Sequence, residues 1–187
     1  MKNTILLTLL LMVTLGLRAQ EITLDKVPVV VQEKFKADHS DIPAYVKPTW
    51  YHDKAVGSDR ALFKVSYMVT GGFETYLYSH SGQEVYRIKD YYNPANAPQT
   101  VVNNMKAAYT ASSPVKVSEY SSTKYNMKGY IVTFQDYKSR YADASGILST
   151  ENPARTFSQK ADADLSNFTA APSSPAASGT APTTPAT

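Results

Sequence analysis

Three histidines, His39, His52 and His80, have the side chains best suited to acid–base or metal chemistry in this chain, and their spacing suits neither. Zinc and metalloprotease motifs set their ligands at short fixed intervals, and no such interval links the three. His52 adjoins Asp53, but neighbours on a strand point to opposite faces, so adjacency alone makes no catalytic dyad. The absence of cysteine excludes thiol catalysis, and no serine stands in a Gly-x-Ser-x-Gly elbow. Gly71-Gly72 reads as a hairpin turn, not a phosphate-binding loop. The carboxylates are scattered, with Asp162 and Asp164 at the start of a compositionally biased C-terminal segment. These features point to a protein that is not an enzyme and carries neither cofactor nor metal.

What the chain has in quantity is tyrosine: 14, against 6 phenylalanines and one tryptophan. Tyrosine suits half-buried strands and is enriched where proteins meet. Alternation over residues 62–79 predicts Phe63, Val65, Tyr67 and Leu77 inward, with Ser66, Met68, Tyr76 and Tyr78 outward. Tyr51 and Tyr86 join the outward set. Tyr51, Met68, Tyr76, Tyr78 and Tyr86 are therefore the candidate partner-binding residues, an amphipathic and adaptable patch on an open sheet face. The competing reading is that these rings only pack as cross-strand pairs and stabilise the sheet. Trp50 falls on the inward side and is expected in the core.

The elements that would position such a face begin with a helix over Val27 to His39. Val27, Val30, Val31 and Phe35 form its apolar stripe, Pro28 sits in its first turn, and Asp25 is the candidate cap. Strands are expected over 45–51, 62–70, 73–79 and 84–89. Pro48 would place the first of them at an edge or a bulge. Asn96 then reads as the N-cap of a second helix, Ala97 to Tyr109, with Val101, Val102, Met105, Ala108 and Tyr109 on its stripe. Setting Pro28 against Pro98 brings Val31 to Val101 and Phe35 to Met105. With small gaps Val46-Lys47 meets Val115-Lys116, Tyr51 meets Tyr120, and Phe63, Val65 and Tyr67 meet Tyr130, Val132 and Phe134. Ser81-Gly82 meets Ser145-Gly146. Order and alternation persist throughout, as an internal duplication requires.

The ends carry an address and a tail. Met1-Lys2-Asn3, an apolar run from Ile5 to Leu17 and the small residue Ala19 make the pattern of a secretory signal peptide over 1–19. That run is shorter than the roughly 20 residues needed to span a bilayer, so a membrane anchor is the weaker reading. Export to the periplasm or the medium is expected, with no membrane insertion once the signal is removed. The formal charge is +3, from 19 Lys and Arg against 16 Asp and Glu; without Lys2 and Arg18 the balance is 17 to 16, or +1. Such near neutrality argues against a nucleic-acid partner. From Ala161 to Thr187 alanine, serine, threonine and proline dominate, and a disordered tail is expected.

The motif Val27-Pro28 with Val31 and Phe35, then Phe63 to Tyr67, then Tyr76 to Gly82, resembles the PepSY-like secreted proteins. These are related in fold to the β-lactamase-inhibitor protein (BLIP). A weaker second copy runs through Ala97-Pro98, Val101, Met105, Tyr130 to Phe134 and Ser145-Gly146. Arg140 and Ala142 stand there in place of Tyr76 and Tyr78. The resemblance covers roughly residues 22–153. It implies an α+β fold of two tandem α-β4 repeats, 21–90 and 91–160, forming an antiparallel sheet with helices on one face. It also implies a binder, inhibitor or envelope accessory protein. A non-enzymatic module binding a protein or peptide is the expectation. A small-molecule carrier with a pocket between helices and sheet, or a structural envelope component spaced by its tail, are the alternatives.

Overall fold

A computed structural model describes residues 20–54 and 61–166. The expected signal peptide, and the tail from residue 167, lie outside those residues. Strand β1 (Gln20–Ile22) and a single 3-10 turn (Leu24–Lys26) lead into helix α1 (Val29–Asp38). Four strands follow: β2 (Thr49–Lys54), β3 (Ala61–Val69), β4 (Gly72–Tyr78) and β5 (Glu84–Tyr91). A second 3-10 turn (Pro94–Asn96) and α2 (Gln99–Ala108) precede β6 (Pro114–Ser122), β7 (Met127–Phe134), β8 (Ser139–Asp143) and β9 (Leu148–Ser149). Helix α3 (Pro153–Ser166) closes the described chain. All nine strands lie side by side in chain order, each antiparallel to its neighbours, in one open sheet. No helix among the described residues is long and apolar enough to cross a membrane.

Both α1 and α2 start one residue after their proline, which occupies the N-cap position rather than the first turn. Neither has a side-chain cap. The preceding 3-10 turns organise the entry instead, with Val27 N–H donating to Leu24 O and Ala97 N–H to Pro94 O. The side chains of Gln32 and Gln99 tie back onto carbonyls of the same turns. Asp25 therefore lies within a 3-10 turn. Asn96 ends a 3-10 turn and does not cap α2; Asn93 caps that turn, its side chain accepting from Ala95 N–H at 3.0 Å.

The apolar stripe of α1 is narrower than expected. Val27, Val31 and Phe35 are buried against Trp50, Phe63, Val65 and Tyr67, whereas Val30 is exposed. On α2, Ala97, Val101, Val102 and Met105 pack on Val117, Tyr130, Val132 and Phe134, and Ala108 stays in solvent. The β4–β5 and β8–β9 turns press against these helices. Gly82 and Gly146 both have φ +80°, and a Cβ there would meet Val30 O at 3.0 Å and Val101 Cγ2 at 3.1 Å. Glycine thus serves a left-handed turn and a close helix approach at once.

Several strand expectations shift. β2 starts at Thr49, after Pro48, so the missing proline N–H removes no ladder bond. It pairs with β1 and β3 and is not an edge. The larger correction concerns the faces. Val69 pairs with Gly72 across a two-residue turn, which sets Val65 opposite Tyr76 and Phe63 opposite Tyr78. Residues directly opposite share a face, so Tyr76 and Tyr78 belong with the inward set and Leu77 with the other.

That other face is not open along its length. Phe157 and Ala161 of α3 bury Leu77, Val85 and Tyr86, with Ile88, Tyr120 and Met127 around them. A register shift between Leu77 and Tyr78 in the β4–β5 ladder lets both Val85 and Tyr86 reach this core. The sheet therefore carries helices on both faces, and residues expected as the start of a tail form a docked helix.

Candidate functional site

Of the five candidate partner-binding residues, Tyr76 (4% exposed) and Tyr78 (0%) are buried under α1, and Tyr86 (8%) is buried under α3. Tyr51 is half-buried, with the Lys64 ammonium 5.2 Å from its ring centroid. Only Met68, 66% exposed, presents most of its surface to solvent. The structure does not bring the five together as one patch. It confirms Trp50 as core, edge-on to Phe35 at 5.3 Å.

The histidines fall on two rings, His39 on Tyr76 and the other two on Phe63. His39 ends α1, with its ring 4.0 Å from that of Tyr76 and its Nε2 3.3 Å from the Tyr78 hydroxyl. Burial holds it below its ordinary pKa, so it favours the neutral form. His52 stacks on Phe63 at 5.1 Å, and His80 approaches the same ring at 5.9 Å. No three His, Asp or Glu side chains gather as a metal-ligand set among the described residues.

What the register does assemble is a polar strip between α1 and α2. Across β3 to β7 one row runs Tyr67, Glu74, Lys89, Glu119, Tyr130, each directly opposite the next. The adjacent row on the same face runs Val65, Tyr76, Arg87, Ser121, Lys128. Each helix covers one end of these rows, leaving a cleft of about 140 Å³ lined by Glu74, Tyr76, Arg87, Lys89, Tyr91 and Glu119.

Its charges are held in fixed partnerships. Glu74 Oε1 takes an ion pair from Lys89 at 2.8 Å, and its Oε2 accepts from Tyr76 at 2.8 Å and Tyr67 at 3.1 Å. Glu119 pairs with Lys128 at 3.0 Å and accepts from the Tyr91 hydroxyl at 3.4 Å. Lys89 and Lys128 also lie over the rings of Tyr91 and Tyr130, at 5.6 and 5.3 Å. Burial alone would raise the pKa of Glu74, but the bonds from Lys89, Tyr76 and Tyr67 outweigh it and hold the carboxyl below its usual range.

The tyrosines shift the opposite way. Burial, reinforced by the neighbouring carboxylates, pushes Tyr76 and Tyr91 up to about 12 and Tyr67 higher still. A tyrosine whose folded pKa is raised stabilises the fold below its unfolded value, and that stability is lost as pH rises through the folded one. Stability should therefore fall as pH climbs from 10 towards 12. A titration followed at 295 nm should show late, cooperative ionisation coincident with loss of secondary structure. Full ionisation of every tyrosine near pH 10 with the fold intact would contradict these placements.

Glu74 is also where the cleft meets a larger trough, of about 690 Å³, at the C-terminal end of α1. Ile42, Pro43, Tyr45 and Val46 form one wall, and Tyr67, Met68, Val69 and Glu74 line the sheet side. Tyr45 is 83% exposed. Alternation within single strands does not reveal this strip, since it places Glu74, Lys89 and Glu119 anywhere a charge meets water. The available signal was parity: a two-residue turn at 70–71 sets Tyr67 opposite Glu74.

An α+β protein with an open antiparallel sheet and a mixed-charge cleft is the class that the fold and site define. The backbone is similar to that of a Bacteroides eggerthii protein described as periplasmic, with TM-score 0.51 and 13% identity, over 67% of this chain and 88% of that one. Weaker overlaps link it to two others. One is a Bacteroides thetaiotaomicron protein described as calcium-regulated and periplasmic (TM-score 0.34, 14% identity, 71% and 96% covered). The other is a Bacteroides vulgatus periplasmic protein of unknown function (0.33, 19%, 68% and 93%). No protein-family model matches the chain, and no curated protein matches it in sequence.

Proposed function

We propose that this is an exported, non-catalytic binding module that holds an extended segment of a protein or peptide in the trough beside α1. The observation that carries the reading is the trough itself: an apolar wall, Ile42 to Val46, running into a polar cleft whose groups are pre-paired. A carboxylate held ionised by three donors and tyrosines held protonated are suited to hydrogen-bonded recognition, not proton transfer. The leader-like residues 1–19 and the periplasmic setting of the structural neighbour support export to the periplasm. The cleft is small and polar and the apolar trough is open along its side, an arrangement that suits an extended chain more than an enclosed apolar ligand.

The same proposal takes the chain as two α-β4 units in tandem, akin to the PepSY-like and BLIP-like proteins. Backbone bonds recur in support of it. His39 N–H to Phe35 O matches Tyr109 N–H to Met105 O, and Ser79 N–H to Gln83 O matches Asp143 N–H to Ile147 O. Trp50 faces Val65 as Val117 faces Val132, so Tyr51 corresponds to Ser118 and not to Tyr120.

The test is a linear-peptide display library panned on the purified protein, with selected peptides mapped by amide chemical shifts. Selected peptides should move residues 42–47 and Tyr67. Tyr45→Ala should weaken them by about tenfold, as loss of an exposed aromatic anchor does, while Tyr92→Ala on the other face leaves them unchanged. No enrichment, or perturbation confined to Tyr92 and its ring neighbour Phe73, would remove the proposal.

A further inference from the structure

The two rows carry three cations, Lys89, Arg87 and Lys128, against two carboxylates, Glu74 and Glu119. Lys89 is engaged by Glu74 and Lys128 by Glu119. Arg87, two residues from Lys89 on β5, donates its Nε–H to Ser121 Oγ at 2.9 Å and forms no ion pair with any described carboxylate. Its direct neighbours across the sheet, Tyr76 and Ser121, are neutral. Glu84 is near enough to feel its charge but does not contact it. The Nε bond fixes the plane of the guanidinium and leaves its terminal nitrogens available on the wall of the cleft.

We infer that Arg87 is an anchor for a carboxylate, and that the carboxylate is the C-terminus of the peptide lying in the trough. A guanidinium presents two parallel N–H groups that match the two oxygens of a carboxylate, and Arg87 is exposed, so the pair forms without burying its charge. The repulsion expected from Glu74 and Glu119 is offset by their own lysine partners. Size favours a chain that ends at the cleft over one that runs on through it. The trough has about 690 Å³ and the cleft about 140 Å³, so a chain entering from the trough finds room for its head group and not for a further run of residues. The inference rests on the peptide reading of the trough and names the end of the ligand that the cleft would read.

The experiment uses three probes on the full chain labelled with 15N: N-acetyl-trialanine with a free carboxylate, its C-terminal amide, and N-acetyl-Ala-Glu-Ala-amide. The free acid should shift the Arg87 Nε–H resonance and the Ser121 and Tyr91 amides, and bind about tenfold or more tighter than the amide, the scale of a charge-assisted pair. Arg87→Gln should erase that difference and Arg87→Lys restore part of it. The glutamate probe should fall near the amide; equal binding by it would overturn the choice of the terminus. Equal binding of acid and amide, or an unmoved Arg87 resonance, would overturn the anchor. A free acid that shifts 42–47 but not Arg87 leaves the trough standing without its anchor. Shifts at Arg87 alone would keep the carboxylate site and remove the trough.

Discussion

Phe35→Ala should destabilise the protein by about 3–5 kcal/mol, the range for removing a buried phenylalanine ring. The ring centroid lies 4.9 Å from that of His39 and 5.3 Å from that of Trp50. Tyr67, Tyr78 and Tyr76 follow at 6.1, 6.4 and 6.5 Å. The ring thus joins α1 to β2, β3 and β4. Removing it also loosens Tyr67 and Tyr76, whose hydroxyls hold Glu74, so the cleft should degrade with the core. Trp50 is the single tryptophan, and it reports on this end of the sheet, while far-UV circular dichroism reports on all of it. Urea transitions by the two probes should coincide and shift together, since the sheet is continuous from β1 to β9. Phe35→Leu should recover most of the loss. A change below about 1 kcal/mol, smaller than any such buried ring should give, would mean that α1 does not carry this core.

The helix pair and most strands were legible because their periods differ. Val27, Val31 and Phe35 recur at helical spacing, whereas Phe63, Val65 and Tyr67 recur at two, and each period survives without knowledge of the partner element. Facing was harder. A strand's alternation gives two sets of side chains, but only the turn decides which set joins its neighbour's. The pairing of Val69 with Gly72 moved Tyr76 and Tyr78 from the expected binding face into the core under α1. The polar strip was illegible for a related reason. Glu74, Lys89 and Glu119 each look like solvent-facing charges in their own strands, and only the register of two ladders places them in one row.

Helix α3 escaped notice for want of apolar residues. Its residues, PARTFSQKADADLS, contain one large apolar side chain in the part that docks, Phe157, with Ala161 one turn later. Two positions do not make a period. Their burial is intelligible only from the sheet, where Leu77, Val85 and Tyr86 need a cover that neither α1 nor α2 can give from the opposite face.

Phe157→Ala tests that dependence. The ring sits 5.6 Å from Tyr86 and 6.0 Å from Tyr120, and its truncation removes most of the apolar surface that holds the helix. A phenylalanine deletion costs about 3–5 kcal/mol when the rest of the structure must stay as it is. Here it need not stay, because α3 can detach while both cores on the opposite face persist. The global transition should then move less than it does for Phe35→Ala, with the difference appearing as local opening. Amide exchange should accelerate throughout α3 and remain slow in β3 and β7. Dye binding should rise as Leu77, Val85 and Tyr86 become accessible, and self-association should follow from the new apolar patch. Uniform acceleration of exchange across all nine strands would show instead that α3 belongs to the same cooperative unit as the sheet, and that this face is as essential to folding as the one covered by α1.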